Sequence, residues 1–281
     1  PVARNRVRYD MQLVPVLNKN PKFLQNSNEA PFLSEETVLW MPSKRSEWED
    51  CVSEMTALCT QAAIRRYTGG KFKYPLSRDY IRDRIDIDDP LIGYQLRHKT
   101  GGWLQGFILF TNFTTWTHGF HWDSTHPESG LKQESILSQE LEALPRSGDP
   151  VGGGIVFQNI AEISLLGGLG CGEILLQMAL SDIRSRPQYQ YVVLQATDES
   201  KAFYSKYGFE RVGAICQYGN GEVAGYRHWT HANESQRSLE LHGGPSFMMC
   251  LKLNDEKASP VLEQMLKLRV DRKPTVEQLG A

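Results

Sequence analysis

The chain has 281 residues, with 31 Lys and Arg against 33 Asp and Glu, a formal net charge of -2 and a pI near 6.4. That near-neutral balance argues against wholesale nucleic-acid binding, which shows as a strongly basic domain, and against an acidic disordered chain. With 40% hydrophobic, 10% aromatic and 23% charged residues, it has the proportions of a folded globular protein, long enough for one large domain or two small ones.

Five cysteines (Cys51, Cys59, Cys171, Cys216, Cys250) are odd in number and scattered. No pair has the CxxC spacing of a zinc or redox site, so a reducing, intracellular compartment is expected. The chain begins at Pro1 without an initiator Met or a charged-then-apolar leader, which reads as part of a longer protein with no secretory signal. The longest apolar stretch, Ile163 to Leu180, holds Ser164, Glu173, Gln177 and four glycines, too much polarity for a membrane span. A soluble protein is expected.

In chain order, residues 1–34 are rich in Asn, Pro, Arg and Lys and read as an extended arm, with Arg4, Arg6 and Arg8 as a solvated basic run. A strand is expected at Thr37–Met41. From Ser46 to Tyr67, Trp48, Cys51, Met55, Leu58, Cys59 and Ala62 recur at helical spacing, with acids in the first turn and Arg65 and Arg66 in the last. A shorter helix follows near Ser77–Ile85. Strands at Leu91–His98 and Gly102–Trp116 are joined by a turn at Lys99–Gly102. The second has Trp103, Phe107, Leu109 and Phe113 on one face and Leu104, Ile108, Phe110 and Trp116 on the other, so it should be central and covered on both sides.

Residues from about 117 to 150 form a polar insertion with a helix near Glu134–Leu144. Then come a strand at Ile155–Leu166, a glycine loop, a helix at Glu173–Arg186, a buried strand at Tyr191–Ala196 and a helix at Ser200–Tyr207. Strands at Glu210–Gln217 and Phe247–Leu253 complete a body over 35–255, and residues 258–270 add a helix within a C-terminal extension, 256–281. One mixed α/β domain with an insertion and two extensions is expected.

The most informative segment is AEISLLGGLGCGEILLQMAL, residues 161–180. A strand runs into Gly167-Gly168-Leu169-Gly170-Cys171-Gly172, and a helix follows. Such a loop turns backbone N–H groups inward at a helix start, an anion site suited to a pyrophosphate. The plainer alternative is a tight turn. A P-loop is unlike it, because Glu173 and Ile174 follow Gly172 where Lys-Ser or Lys-Thr is needed. A dinucleotide fold stays open through Asp198, placed after the next strand, although the glycines run GxGxG and begin past mid-chain.

The segment resembles the coenzyme A loop of the GNAT superfamily of acetyl-CoA-dependent N-acetyltransferases, whose pattern is Arg/Gln-x-x-Gly-x-Gly/Ala. Gly170-Cys171-Gly172 supply its second half, while Gly167 stands where the family has Arg or Gln and the strand-to-loop connection is several residues shorter. After YVVLQAT comes DESKAFYSKYGFERVG, which looks like the family's Asn-x-x-Ala-x-x-Leu-Tyr-x-x-x-Gly-Phe element. Tyr204, Gly208 and Phe209 match it, Phe203 replaces Leu, and Thr197 and Ser200 replace Asn and Ala. The resemblance covers about residues 37–253. It implies a GNAT-like mixed, mostly antiparallel central sheet flanked by helices, with an insertion before the coenzyme-binding strand.

Further implications concern chemistry. Acetyl-CoA is the expected acetyl-donor cosubstrate, held by Leu165, Leu166, Gly167, Gly168, Leu169, Gly170, Cys171, Gly172, Glu173, Thr197, Ser200 and Phe203. The N–H groups of Leu165 and Leu166 are the expected thioester and pantetheine contacts. Glu162, in an AEI segment like that of the protein-lysine members, is the expected general base; a solvated face or a structural ion pair is its plainer role. Tyr204 matches the tyrosine that protonates the departing sulfur, with helix packing as its plainer role. The favoured acceptor is a protein or peptide lysine, such as a histone's, by direct transfer in a ternary complex. Alternatives are a small-molecule or N-terminal amine, or a coenzyme-binding recognition module without catalysis. Other domains of a longer chain are expected partners, and nucleic acid and membrane are not.

Cys171 is expected to be a small loop residue and not a nucleophile. His118, His121, Asp123 and His126, and separately His228 and His231, have spacings that can bind zinc, but Trp116, Phe120 and Trp122 beside the first set suggest aromatic packing. No metal is expected.

Overall fold

The computed structural model describes residues 36–66, 76–117, 119–131, 133–217, 221–227, 246–253 and 260–275. All lie in the unit Leu33–Ala281, and the expected N-terminal arm falls outside them. No helix among the described residues is long and apolar enough to cross a membrane.

The described elements follow in chain order: β1 Thr37–Trp40, α1 Arg45–Glu49, α2 Val52–Arg66, α3 Arg78–Ile87, β2 Ile92–His98, β3 Leu104–Thr115, α4 Ile136–Glu142, β4 Ser147–Asp149, β5 Gly154–Gly168, α5 Gly172–Arg184, β6 Tyr191–Thr197, α6 Asp198–Ser205, β7 Glu210–Arg211, β8 Ile215–Gln217, β9 Val223–Gly225, β10 Ser246–Lys252, α7 Pro260–Leu266 and β11 Arg269–Val270. The main sheet has the order β11-β1-β2-β3-β5-β6-β10-β7, with β4 added beside β5 and β8–β9 forming a separate pair. Its pairs are antiparallel except β1 with β11 and β5 with β6. The expected mixed, mostly antiparallel sheet flanked by helices, with an insertion before β5, is therefore the one observed.

Apolar alternation on β3 and β5 decides where the layers go. Ile108, Phe110, Ala161 and Ile163 face α5, whose Ile174, Leu175, Met178, Ala179 and Ile183 pack on them together with Met265 of α7. On the opposite face Phe107, Leu109 and Leu165 meet Trp48, Met55, Ile81 and Ile85 of α1 to α3. Further along that face Phe113, Phe157 and Ile160 meet Phe120, Trp122 and Leu141 of the insertion. Phe107, Phe110, Phe113, Phe120 and Trp122 are buried, whereas Trp103 and Trp116, expected on the covered faces, lie just outside β3 and are 39% and 41% exposed.

Three boundaries and one face assignment differ from expectation for local reasons. The helix expected over 46–67 is two helices, because Asp50 N–H donates to Ser46 O and Cys51 N–H closes a tighter turn on Trp48 O at 2.9 Å. The turn seats the buried Trp48 ring against Gly93, where an added Cβ would lie 3.0 Å from the ring and 2.3 Å from Ile108 O. Leu104 packs with Phe107 and Leu109, not with Ile108, since the register slips between Leu96 and Arg97 and leaves Gln105 as an extra residue on β3. The strand expected over 210–217 splits into β7 and β8 around Gly213, whose added Cβ would sit 2.2 Å from Ser124 Cα and 2.3 Å from Asp123 O. Residues 258–270 form α7 followed by β11, a short strand that periodicity did not reveal.

Gly213 also donates its N–H to Ser138 Oγ at 3.0 Å, so it joins the insertion to the sheet. Gly213→Ala should cost about 1–3 kcal/mol through backbone overpacking, measured by denaturant unfolding, whereas an alanine at the open Gly153, where nothing lies within 4 Å of an added Cβ, should leave the midpoint almost unmoved.

Candidate active site

β5 and β6 are the parallel pair at the centre of the site. They pair at Ile160–Tyr191, Ala161–Val192, Glu162–Val193 and Ile163–Leu194 and nowhere beyond. β5 runs on to Gly168 with β3 alone as partner, and β6 runs on to Thr197 beside β10. Just past the last shared pair the β3–β5 register passes from Phe110–Ile163 to Leu109–Leu165, so Ser164 is a bulged extra residue. An opening between two parallel strands results.

Backbone donors face this opening. Leu169 N–H donates to Gln105 O at 3.0 Å, which fixes the direction of its neighbours, since N–H groups alternate sides along a strand. Gly167 and Leu165 N–H point to β3, and Gly168 and Leu166 N–H point to the side that β6 has left. Of the two expected donors, Leu166 thus faces the opening, Leu165 does not, and Gly168 takes its place. The Leu165 side chain is buried against α2 and α3.

The glycines divide into two sets with different work. Gly167 and Gly168 belong to β5. A Cβ at Gly167 would meet Phe107 Cε1 at 2.6 Å and Cys59 Sγ at 3.2 Å, so an Arg or Gln side chain has no room there. Gly170, with φ +93°, turns the chain, and added Cβ atoms at Gly170 and Gly172 would meet nothing within 4 Å. That side is open to an approaching group. α5 starts at Gly172 without a side-chain cap. Leu175 N–H is the first to reach a helical acceptor, Cys171 O at 3.1 Å, so the N–H groups of Gly172, Glu173 and Ile174 make no intrahelical bond. Together with the helix dipole they favour an anion.

Other expected coenzyme residues are placed as follows. Cys171 is buried, its Sγ donates to Gln105 O at 3.2 Å, and burial pushes the thiol up to about 11, against a nucleophile's needs. Thr197 and Ser200 cap α6 reciprocally, Thr197 N–H donating to Ser200 Oγ at 2.9 Å. Phe203 stacks edge-on against Tyr204 at 5.1 Å. Glu173 hydrogen-bonds Tyr207, whose phenol is held above its ordinary value by burial first and by that carboxylate second. Tyr204 lies on α6, 9% exposed, against Phe209.

Glu162 sits on the opposite face, 3% exposed. Its Oε2 is 2.8 Å from Arg84 Nη2 of α3, and the same Nη2 is 3.0 Å from Asp88 Oδ1. Burial opposes the Arg84 charge, but Asp88 and Glu162 together outweigh it and hold the guanidinium above its usual range. Asp88 is pushed up to about 6 by burial, against the pull of Arg84. Sequence pattern alone did not single out Arg84 or Asp88. Their signal was two charges on the apolar-periodic face of a short helix, beside Ile81 and Ile85.

Among the described residues, the members of the histidine cluster do not come together as a metal-holding group. His121 Nδ1 contacts Glu142 at 3.1 Å, Asp123 Oδ1 accepts from Thr125 and His126 N–H, and His126 Nδ1 accepts from Glu128 N–H. His118, His228 and His231 lie outside the described residues.

No protein-family model matches the chain, and no curated protein does. Solved structures to which it is similar include FeeM, an N-acyl amino acid synthase from uncultured soil microbes, at 14% identity over 77% of this chain and 90% of that one, TM-score 0.40. Another is an acetyltransferase of the GNAT family from Streptococcus pneumoniae, at 11% identity over 78% and 100%, TM-score 0.37. A third is Tetrahymena GCN5, at 9% identity over 79% and 99%, TM-score 0.38.

Arg84 balances two buried carboxylates, so removing it leaves both uncompensated. Arg84→Met should destabilise the fold by about 3–5 kcal/mol, read from denaturant unfolding at pH 7, and the deficit should shrink as the pH falls towards 5 and Asp88 takes up a proton.

Proposed function

We propose that this chain is a GNAT-superfamily N-acetyltransferase that binds acetyl-CoA along the open edge of β5 and transfers its acetyl group directly to an amine. The observation that carries the proposal is the parting of β5 from β6 beyond Ile163 and Leu194, with α5 beginning at the far end of the free edge. The residues present suit such a group: a row of N–H donors for a slender amide-containing arm, then an uncapped helix start with open space at Gly170 and Gly172 for a pyrophosphate.

Acetyl-CoA supplies the acetyl group as a thioester. The N–H groups of Leu166 and Gly168 orient the arm and the carbonyl, where fixed donors are worth most as negative charge develops on oxygen. Those of Gly172, Glu173 and Ile174 hold the pyrophosphate. Tyr204 gives the departing sulfur its proton. Glu162, with Asp88, provides the negative charge beside which the amine loses a proton.

The acceptor we favour is a protein or peptide lysine, histone tails included. What supports it is the AEI carboxylate on β5 and an insertion that builds one wall of the same face. A second reading, a coenzyme-binding recognition module without turnover, draws on the ion pair that engages Glu162.

Calorimetry with acetyl-CoA, followed by turnover on histone-peptide and polyamine panels, tests these readings. Binding with turnover is expected; binding without turnover on both panels would favour the recognition module, and absence of binding would end the proposal. Gly172→Asp should fold normally, because an acid at a helix start is favourable, yet weaken acetyl-CoA binding by roughly tenfold or more through repulsion of the pyrophosphate. Tyr204→Phe should keep acetyl-CoA affinity and lower kcat by about 100-fold.

A further inference from the structure

Between the two apolar layers on the α1–α3 face lies a narrow slot lined by Arg84, Asp88, Thr111, Trp116 and Glu162, among others. Its floor is buried: Arg84, Asp88, Thr111 and Glu162 are 1%, 4%, 2% and 3% exposed. Asp89 is exposed and Trp116 is partly so, and they form its mouth. The floor holds two carboxylates and a single guanidinium joined through one nitrogen, so one negative charge is in excess. Thr111 Oγ1, buried in the same slot, has no hydrogen-bond partner. A buried hydroxyl oxygen beside surplus negative charge is a site lacking a cation that donates hydrogen bonds.

The two carboxylates are not equivalent. Glu162 is both ion-paired and hydrogen-bonded to Arg84. Asp88 gives Oδ1 to the ion pair, while Oδ2 makes no complete hydrogen bond. The Ser164 hydroxyl is near enough to draw the Asp88 carboxyl partly back down without reaching good geometry. Other groups around Asp88 leave this oxygen available. From α3, Tyr80 and Asp83 add to Arg84. From α1, Arg45 Nη2 donates to the Asp88 carbonyl oxygen at 2.9 Å, not to its carboxylate. From β5 come Glu162 and Ser164.

Resting on the acetyltransferase reading above, we propose that this slot receives the primary ammonium group of a slender alkylamine acceptor at Asp88 and Thr111, with Asp88 as the proton-accepting carboxylate and Arg84 as the positioning residue that holds Glu162 beside it. One proton passes from the ammonium to Asp88 Oδ2 and on to solvent, freeing the nitrogen lone pair. The C–N bond then forms as the C–S bond breaks, the sulfur keeping the bonding pair. Nitrogen gives its second proton to Asp88 Oδ2, ionised again, as sulfur gains one from Tyr204, and the phenolate takes a proton back from solvent.

Carboxyl NMR of the wild-type chain, with Asp88 assigned by through-bond correlation to its backbone, tests the site without turnover. The Asp88 midpoint, near 6 when free, should fall on adding n-butylammonium and stay put with tetramethylammonium at equal concentration. An Asp88 midpoint unmoved by n-butylammonium overturns the assignment. With Nα-acetyl-lysine amide and spermidine as acceptors, kcat/KM should rise about tenfold per pH unit up to about 6, because only ionised Asp88 accepts the proton. Asp88→Asn should lose that acidic limb with about 100-fold in kcat, and Glu162→Gln should keep the limb. A limb that survives in Asp88→Asn, or vanishes in Glu162→Gln, overturns the role of Asp88. Failure to bind acetyl-CoA in calorimetry would overturn the enzyme reading itself, while the NMR titration separately decides whether the slot takes an ammonium.

Discussion

β5 is paired on both sides from Ala161 to Ile163 and with β3 alone from Leu165 to Gly168. The candidate site depends on that change. A parallel strand inside a sheet normally has its amides satisfied on both edges, and a free stretch in the middle of a sheet must be explained by what occupies it. Here the bulge at Ser164 turns β5 away from β6, and the close contact of Gly167 with the Phe107 ring keeps it on β3. α5 then begins a few residues beyond the strand, packed by its apolar face onto Ile108, Phe110 and Ile163. Free strand amides and the positive end of a helix are brought to one opening by the same packing.

On the other face, the layer of α1 to α3 and the layer of the insertion do not merge into one core. Arg84, Asp88, Glu162 and Thr111 lie at the seam. Taking three charges out of water is expensive, and apolar residues of similar volume in such places are often neutral or stabilising. Packing alone therefore gives no reason for the seam to be ionic. Its position does, because Glu162 stands on the last stretch of β5 shared with β6, immediately before the opening. The proposed coenzyme side and the proposed acceptor side meet across a single strand.

Much of this was legible in the amino-acid sequence. Period-2 and period-3.6 patterns located the helices and the longer strands, though not the short β4, β9 and β11, since α/β layering imposes them wherever one face is buried. The run of glycines between strand and helix marked the turn into an uncapped helix start, because a helix start and a close backbone approach are local properties. Where long-range packing chose the outcome, the pattern failed: α1 and α2 part to seat Trp48 on Gly93, and Gly213 leaves the sheet to meet Ser124.

By itself, then, the sequence determined the layered α/β architecture, the strand–glycine–helix unit and the chain order of Glu162, the loop and Tyr204, all set by backbone preference and hydrophobic period. Only the tertiary structure decided that β6 departs after Leu194, that Leu166 and Gly168 rather than Leu165 face the opening, and that Arg84 and Asp88 join Glu162 across about 80 positions of chain. Pairing register and ion-pair partnership are relations between distant segments, and no periodicity within one segment encodes them.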